Sequence, residues 1–253
     1  MSTPTFLAEP ALFEGVTPGS TITLDSATTH HIRVTRIKES ESIDVVDGHG
    51  TRYSGQVSPG GEFHIQKIVH ESAPRLHITV AQALIKGDRL ERAVEMMTEV
   101  GAMSFIPWQA EHSVVSWSKE KAERNSQKWT NVVRAATEQS RRSFVPSIQP
   151  LAVGTQLASQ CANFDHVVLL EEVKKVGGAP EIELTSGKIL VVVGPEGGIS
   201  DSERKAFETQ GNVYSLTLGE SVLRSATAGI VGLAYLFTSS GEWNGRSPEV
   251  MQG

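Results

Sequence analysis

The chain carries a single cysteine, Cys161, among 253 residues, so no internal disulfide can form and a reducing compartment is expected. Long apolar runs are missing too. The longest, residues 228–237, falls well short of the ~20 residues that cross a bilayer, and residues 1–10 hold no basic segment followed by an apolar stretch. Neither a membrane span nor a secretory signal is therefore expected. An excess of positive charge is also lacking: the formal net charge is −6, which argues against a surface coated uniformly for nucleic acid. Five of the eight histidines (His30, His31, His49, His64 and His70) crowd into the first 70 residues, yet no pair has zinc-motif spacing and no cysteine is near, so no metal site is expected. These absences leave a cytoplasmic chain long enough for one large domain or two of unequal size.

What is present begins with residues 189–200, Ile-Leu-Val-Val-Val-Gly-Pro-Glu-Gly-Gly-Ile-Ser. The β-branched run 189–193 reads as a strand covered on both faces, Gly194 ends it, and Asp201, Ser202 and Glu203 open a helix. Tight strand-to-helix turns are common, and a Gly-Gly pair alone would be ordinary. Glu196 is not ordinary, because a structural turn has little use for a carboxylate between Pro195 and Gly197. The Lys-Ser/Thr ending of a phosphate loop is absent and Glu196 would repel phosphate, so the expected ligand is not a polyphosphate. A turn of this kind suits a ligand at the carboxyl end of a strand.

Along the chain, residues 1–72 read as a small β-barrel. Short alternating runs at 20–24, 42–47, 52–57 and 63–70 are separated by Gly, Pro and Ser, with a short helix at 26–38 whose His30, His31, Ile32, Val34 and Ile37 lie on or near its inner face. After Glu71-Ser72-Ala73-Pro74, a plausible linker, residues 73–253 alternate strands with helices, the pattern of a mostly parallel sheet. Strands are expected at 77–84, 103–107, 167–170, 189–193 and 213–216. Helices are expected at 86–100, with Leu90, Val94 and Met97 on one face, within 117–139, with Trp129, Val132, Val133 and Ala136 inward, and from about 221 to 237. Residues 240–253 read as a flexible tail. Between Lys119 and Arg142, seven basic residues stand against three acidic ones, a basic island in an acidic chain.

Several stretches together resemble one family. Lys86-Gly87-Asp88-Arg89, Thr98-Glu99-Val100-Gly101-Ala102, Ile106-Pro107, Ala136-Thr137-Glu138-Gln139-Ser140-Arg141-Arg142, Val193-Gly194-Pro195-Glu196-Gly197-Gly198 and Leu218-Gly219-Glu220-Ser221-Val222-Leu223-Arg224 are similar, in order and spacing, to the 16S ribosomal RNA uridine-N3 methyltransferases called RsmE. His30-His31-Ile32-Arg33-Val34-Thr35-Arg36 looks like that family's amino-terminal module, a PUA-like β-barrel. The resemblance implies an α/β SPOUT-type methyltransferase domain with a carboxyl-terminal trefoil knot that forms an S-adenosylmethionine pocket, in a homodimer. The target it implies is N3 of a uridine in 16S ribosomal RNA, free or in the assembled small subunit. Another base or ribose as target, and a catalytically silent ribosome-binding protein, are the alternatives.

On that reading the cofactor site comprises Leu170, Gly194, Glu196, Gly197, Gly198, Ile199, Leu218, Gly219 and Leu223. Uridine N3 becomes nucleophilic as it loses its proton, so a fixed cation near the base lowers the barrier, and Arg224, then Arg142, are the catalytic candidates. Arg33, Arg36, Arg141 and Arg142 are the candidate RNA contacts. Trp129 is expected in the core. The chain departs from the family pattern at His112, where many members have Arg, at Ser221, which lacks a positive charge, and at Ala226, which lacks a carboxylate. No step can depend on those missing groups.

Overall fold

The computed structural model describes residues 3–35, 37, 41–58, 60–172 and 184–243, and the backbone of 249–250. Arg36, part of the expected RNA-binding set, lies outside the described residues. The chain divides into two compact units: Met1–Ala73, Arg134–Val145 and Arg246–Gly253 form one, Pro74–Val133 and Pro146–Gly245 the other.

The first unit is built on β1 (Thr5–Leu7), β2 (Thr21–Thr23), α1 (Ser26–Val34), β3 (Ser42–Val46), β4 (Thr51–Val57) and β5 (Glu62–His70). Strand β1 lies parallel to β3, while β3, β4 and β5 pair antiparallel in sequence order and β2 adds to β5. Alternation along the strands sends Ile43, Val45, Phe63 and Ile65 inward, each 0 % exposed, around a core that also holds Phe6, Phe13 and Tyr53. Of the α1 face expected inward only Ile32 is buried; Ile37, beyond the helix, packs half-buried on the same cluster. The buried stripe is Thr28 and Ile32, four residues apart, so His30, His31 and Val34 fall off it and are exposed. Two of the histidines serve polar strand faces: His64 Nδ1 lies 3.1 Å from Thr21 Oγ1 and His70 Nδ1 3.3 Å from Thr51 Oγ1. Among the described residues no three His, Cys, Asp or Glu side chains are grouped to hold a metal ion.

Residues 134–145 join this unit through polar contacts that no periodicity reveals. The Leu7 amide donates to Glu138 Oε1 at 2.8 Å, and Arg134 pairs with Glu9 at 3.3 Å. Arg52 donates to the Arg141 carbonyl at 2.8 Å and to Ser143 Oγ at 2.9 Å while pairing with Asp44 and Glu71.

The second unit runs β6 (Leu76–Ala83), α2 (Arg89–Val100), β7 (Ser104–Gln109), α3 (Lys119–Ser140), β8 (Ser147–Ile148), β9 (Ala152–Val153), β10 (His166–Glu171), β11 (Gly187–Val193), α4 (Asp201–Glu208), β12 (Val213–Thr217) and α5 (Ser225–Ser239); the last residues of α3 count with the first unit. Its sheet is parallel throughout, in the order β12-β10-β11-β6-β7-β8, with β9 beside β7. Ile189 to Val193 are all at most 1 % exposed, as a strand covered on both faces must be. In α2, Leu90, Val94 and Met97 are buried as the 3.6-residue period requires. In α3 the stripe is Trp129, Val133 and Ala136, and Val132, expected inward, is half-buried because it lies off that line. Trp129 is core, edge-on to Phe105 and Trp117. Cys161 is buried, and burial pushes its thiol up to about 11, so it stays protonated and unreactive.

Of the tail expected to be flexible, residues 244–248 and 251–253 lie outside the described residues. Helix α5 extends to Ser239, Glu242 accepts from Arg75 Nε at 3.3 Å, and β13 (Glu249–Val250) pairs antiparallel with β5. A free edge on β5 offers unpaired backbone groups that an extended segment satisfies whatever its side chains.

Candidate active site

The strand order decides where the site lies. Strand β10 stands between β11 and β12, so the turn after β11 (residues 194–200) and the turn after β12 (residues 218–224) flank its carboxyl end. Ligands of open parallel sheets bind there. The two turns enclose a cavity of about 430 Å³, within the range of small-molecule sites. Leu170, Gly194, Glu196, Gly198, Ile199, Leu218, Gly219 and Leu223, all expected from sequence, line it, as does Arg224.

Gly197 is the member of the set that does not line the cavity. A Cβ there would come within 2.9 Å of His112 Cβ, so the glycine makes room for the 110–118 loop. Gly198 is needed for its backbone: its φ of +76° is a left-handed conformation, and open space surrounds its missing Cβ. His112 fastens the turn from outside. Its Nδ1 lies 3.0 Å from the Gly197 carbonyl and 3.1 Å from that of Gly198; both oxygens only accept, so Nδ1 carries the hydrogen. His112, one of the three departures from the family pattern, thus braces the turn at 194–200.

Helix α4 is fixed behind the turn by a capping box. Ser200 Oγ accepts from the Glu203 amide at 3.2 Å, and Glu203 Oε2 accepts from the Ser200 amide at 3.1 Å. Glu203, 1 % exposed, also accepts from the Glu111 amide at 2.8 Å, tying the loop to α4. Hydrogen bonds from the hydroxyls of Ser200 and Ser202 hold the Glu111 carboxyl below the usual carboxylate range. On the other wall Arg224 is the N-cap of α5, with its carbonyl accepting from the amides of Thr227 and Ala228 at 2.8 Å. Gln82, at the end of β6 and 0 % exposed, donates to Ser225 Oγ at 2.9 Å and so anchors the first turn of α5.

The lining also includes residues that sequence reasoning missed: Glu171, Glu172, Asp201, Arg204, Thr217 and Ser225. Glu172, Glu196 and Asp201 are exposed, giving the cavity an acidic rim. Such a rim opposes phosphate and suits a cation. Apolar walls, glycine backbone and carboxylates together fit S-adenosylmethionine, whose adenine wants apolar surface and backbone partners and whose sulfonium is positive.

Arg142 does not line this cavity. It belongs to the first unit, where burial pushes its guanidinium down to about 10, still ionised at neutral pH. Arg141 ends α3 with φ 58°, the one left-handed non-glycine among the described residues. Its amide donates to the Glu138 carbonyl at 3.2 Å and that of Arg142 to the Thr137 carbonyl at 3.0 Å, the paired closure that glycine normally supplies. Arg33 and Arg141 are exposed. The basic island is partly spent on internal pairs, since Lys128 meets Glu91 at 2.7 Å and Arg134 meets Glu9.

Comparison with known proteins agrees with this geometry. A family model described as an RNA methyltransferase domain matches residues 71–237, and one described as an RNA methyltransferase PUA domain matches 24–68. The ribosomal RNA small subunit methyltransferase E of Mycobacterium bovis is 33 % identical over 224 residues, covering 85 % of each chain. That of Bacillus subtilis is 31 % identical over 227 residues, covering 85 % of this chain and 88 % of its own. The structure of the Neisseria gonorrhoeae ribosomal RNA small subunit methyltransferase E, solved bound to S-adenosyl methionine, superposes with a TM-score of 0.78 at 26 % identity, over 94 % of this chain and 98 % of that one. With a PUA domain followed by an RNA methyltransferase domain on a parallel sheet, this chain belongs to the family of the ribosomal RNA small subunit methyltransferases E.

Proposed function

We propose that the chain methylates N3 of a uridine in 16S ribosomal RNA, using S-adenosylmethionine, in the cytoplasm and as a homodimer. The observation that carries this reading is the cavity between the turns at 194–200 and 218–224, with an acidic rim and Arg224 on its wall. The knot implied by the family resemblance is part of the proposal, supported by those two turns flanking one strand end.

Bound S-adenosylmethionine supplies an electrophilic methyl group on a sulfonium. The chain's contribution is positioning and charge. Leu170, Ile199, Leu218 and Leu223 wall the adenine, and backbone at Gly194, Leu218 and Gly219 offers it hydrogen bonds. Glu196 lies where a carboxylate favours a cation. As the uracil N3 loses its proton, negative charge spreads to the carbonyl oxygens, and the Arg224 guanidinium stabilises it. Holding nucleophile and methyl carbon together lowers the barrier further. Arg33, Arg36, Arg141 and Arg142 contact phosphate. For the dimer, Val231 and Tyr235, four residues apart on α5, are exposed at 38 % and 48 %, and Val222 in the preceding turn at 68 %.

The test is incubation of purified protein with methyl-labelled S-adenosylmethionine and small subunits lacking the modification, followed by nuclease digestion. Label in N3-methyluridine supports the proposal. Label in another nucleoside favours a different target. Cofactor binding without transfer favours the silent ribosome-binding protein, for which Ser221 and Ala226 are the motive.

A further inference from the structure

Glu171, the last residue of β10, is placed by the strand order between the two turns, in register with Thr217 of β12. The side chains of a strand alternate, which separates it from its neighbour Leu170. Leu170 faces α5, where its Cδ1 would lie 2.7 Å from a Cβ added to Gly232. Glu171 turns the other way and forms an ion pair with Arg204 of α4. Both line the cavity, and their side chains are only 11 % and 20 % exposed, so the pair is held rather than solvated.

As a purely stabilising device this pair is poor. Partly buried charges lose hydration, and the buried Arg204 Nε has no hydrogen-bond partner among the described residues. What the arrangement does supply is a carboxylate fixed in place on the wall of a ligand cavity, its charge offset by a guanidinium. The remaining lone pairs of such a group receive hydroxyl donors well. They receive a cation badly, because the guanidinium repels it. Among the described residues the exposed carboxylates Glu172, Glu196 and Asp201 pair with no guanidinium, and they suit the cationic parts of a ligand.

We infer that Glu171, positioned by Arg204, is a ligand-binding residue that accepts hydrogen bonds from a vicinal diol, the ribose 2′ and 3′ hydroxyls of the adenosyl group. This rests on the cofactor assignment above. Hydrogen bonds to a charged acceptor make Glu171→Gln cost about 10- to 100-fold in affinity for a ligand with both hydroxyls.

Three probes separate the possibilities by titration calorimetry: S-adenosylhomocysteine, its 2′,3′-dideoxy analogue, and 5′-methylthioadenosine, which keeps the diol but lacks the amino acid. The expected result is that Glu171→Gln weakens S-adenosylhomocysteine and methylthioadenosine alike, by about 10- to 100-fold, and leaves the dideoxy analogue as it binds to the unsubstituted protein. A loss confined to S-adenosylhomocysteine puts the ammonium at Glu171 and overturns the inference. An equal loss on all three ligands shows a structural role only, and no loss on any shows no contact; either overturns it as well. Arg204→Met, which keeps the carboxylate and frees it, reports on positioning: methylthioadenosine is expected to weaken, and unchanged binding removes Arg204 from the account. If the unsubstituted protein binds none of the probes, the cofactor assignment itself fails, an outcome distinct from all the others.

Discussion

Replacing Gly198 with alanine tests the geometry of the first turn. At φ +76° an L-residue pays about 1–2 kcal/mol for the left-handed conformation, and the new Cβ meets nothing within 4 Å, so strain is the whole cost. For a protein of this size each kcal/mol moves the unfolding midpoint by about 2–4 °C, so Gly198→Ala should lower it by about 2–8 °C. Asparagine tolerates the left-handed region better, and Gly198→Asn should recover a good part of the loss. The contrast is Gly197→Ala, where the obstacle is His112 Cβ at 2.9 Å and the backbone is unconstrained. Because His112→Gly also removes the brace on the turn, the pair is read as a cycle: His112→Gly should cost less stability in the Gly197→Ala background than in the unsubstituted protein, with no such reduction in the Gly198→Ala background. Thermal unfolding followed by circular dichroism reads all of these. Equal midpoints for the Ala and Asn variants at 198 would refute the strain argument, and an equal cost of His112→Gly in the Gly197→Ala and unsubstituted backgrounds would refute the contact.

Arg224→Gln should lower methyl transfer at least tenfold with cofactor affinity retained, read by single-turnover kinetics beside calorimetry. Replacing Glu196-Gly197-Gly198 with Ala-Val-Val should abolish cofactor binding while the fold still melts cooperatively; retained affinity would move the site elsewhere. Arg141→Gly should act in opposite directions on two readouts, raising the unfolding free energy by about 1 kcal/mol by relieving the left-handed strain and weakening RNA binding with a shallower salt dependence. His77, whose pKa burial lowers, is neutral when folded at pH values where the unfolded chain's imidazole already binds a proton. The unfolded state therefore takes up more protons below about pH 6.5, stability falls there as pH falls, and His77→Gln should flatten that slope in denaturant titrations.

The parts legible in the sequence were those in which cause and effect are neighbours. A β-branched run ending at Gly194, Glu196 set between Pro195 and Gly197, and Asp201, Ser202 and Glu203 at a helix start each specify local backbone. The turn at 218–224 declares itself in the same way. The order in which strands meet is not local, and it decides that Glu171 and Arg204, 33 positions apart, share one wall. Periodicity likewise gave α3 its buried stripe but gave no sign that Glu138 accepts from the Leu7 amide, because one polar contact leaves no repeating trace. Arg141 looked like one more cation in a basic island. Its left-handed backbone depends on where α3 stops, and propensity alone would have put glycine there. At Gly197 the motif was readable but its reason was not, since the group it accommodates comes from His112, distant in sequence.

The central claim is that this chain places a methyl group on N3 of a uridine in small-subunit RNA. Its most direct test is mass spectrometry of nucleosides from 16S ribosomal RNA of the source strain, with its gene intact, deleted, and deleted but complemented. The account predicts that N3-methyluridine disappears on deletion, returns with the unsubstituted gene, and does not return with Arg224→Gln. N3-methyluridine undiminished in the deletion strain would contradict it.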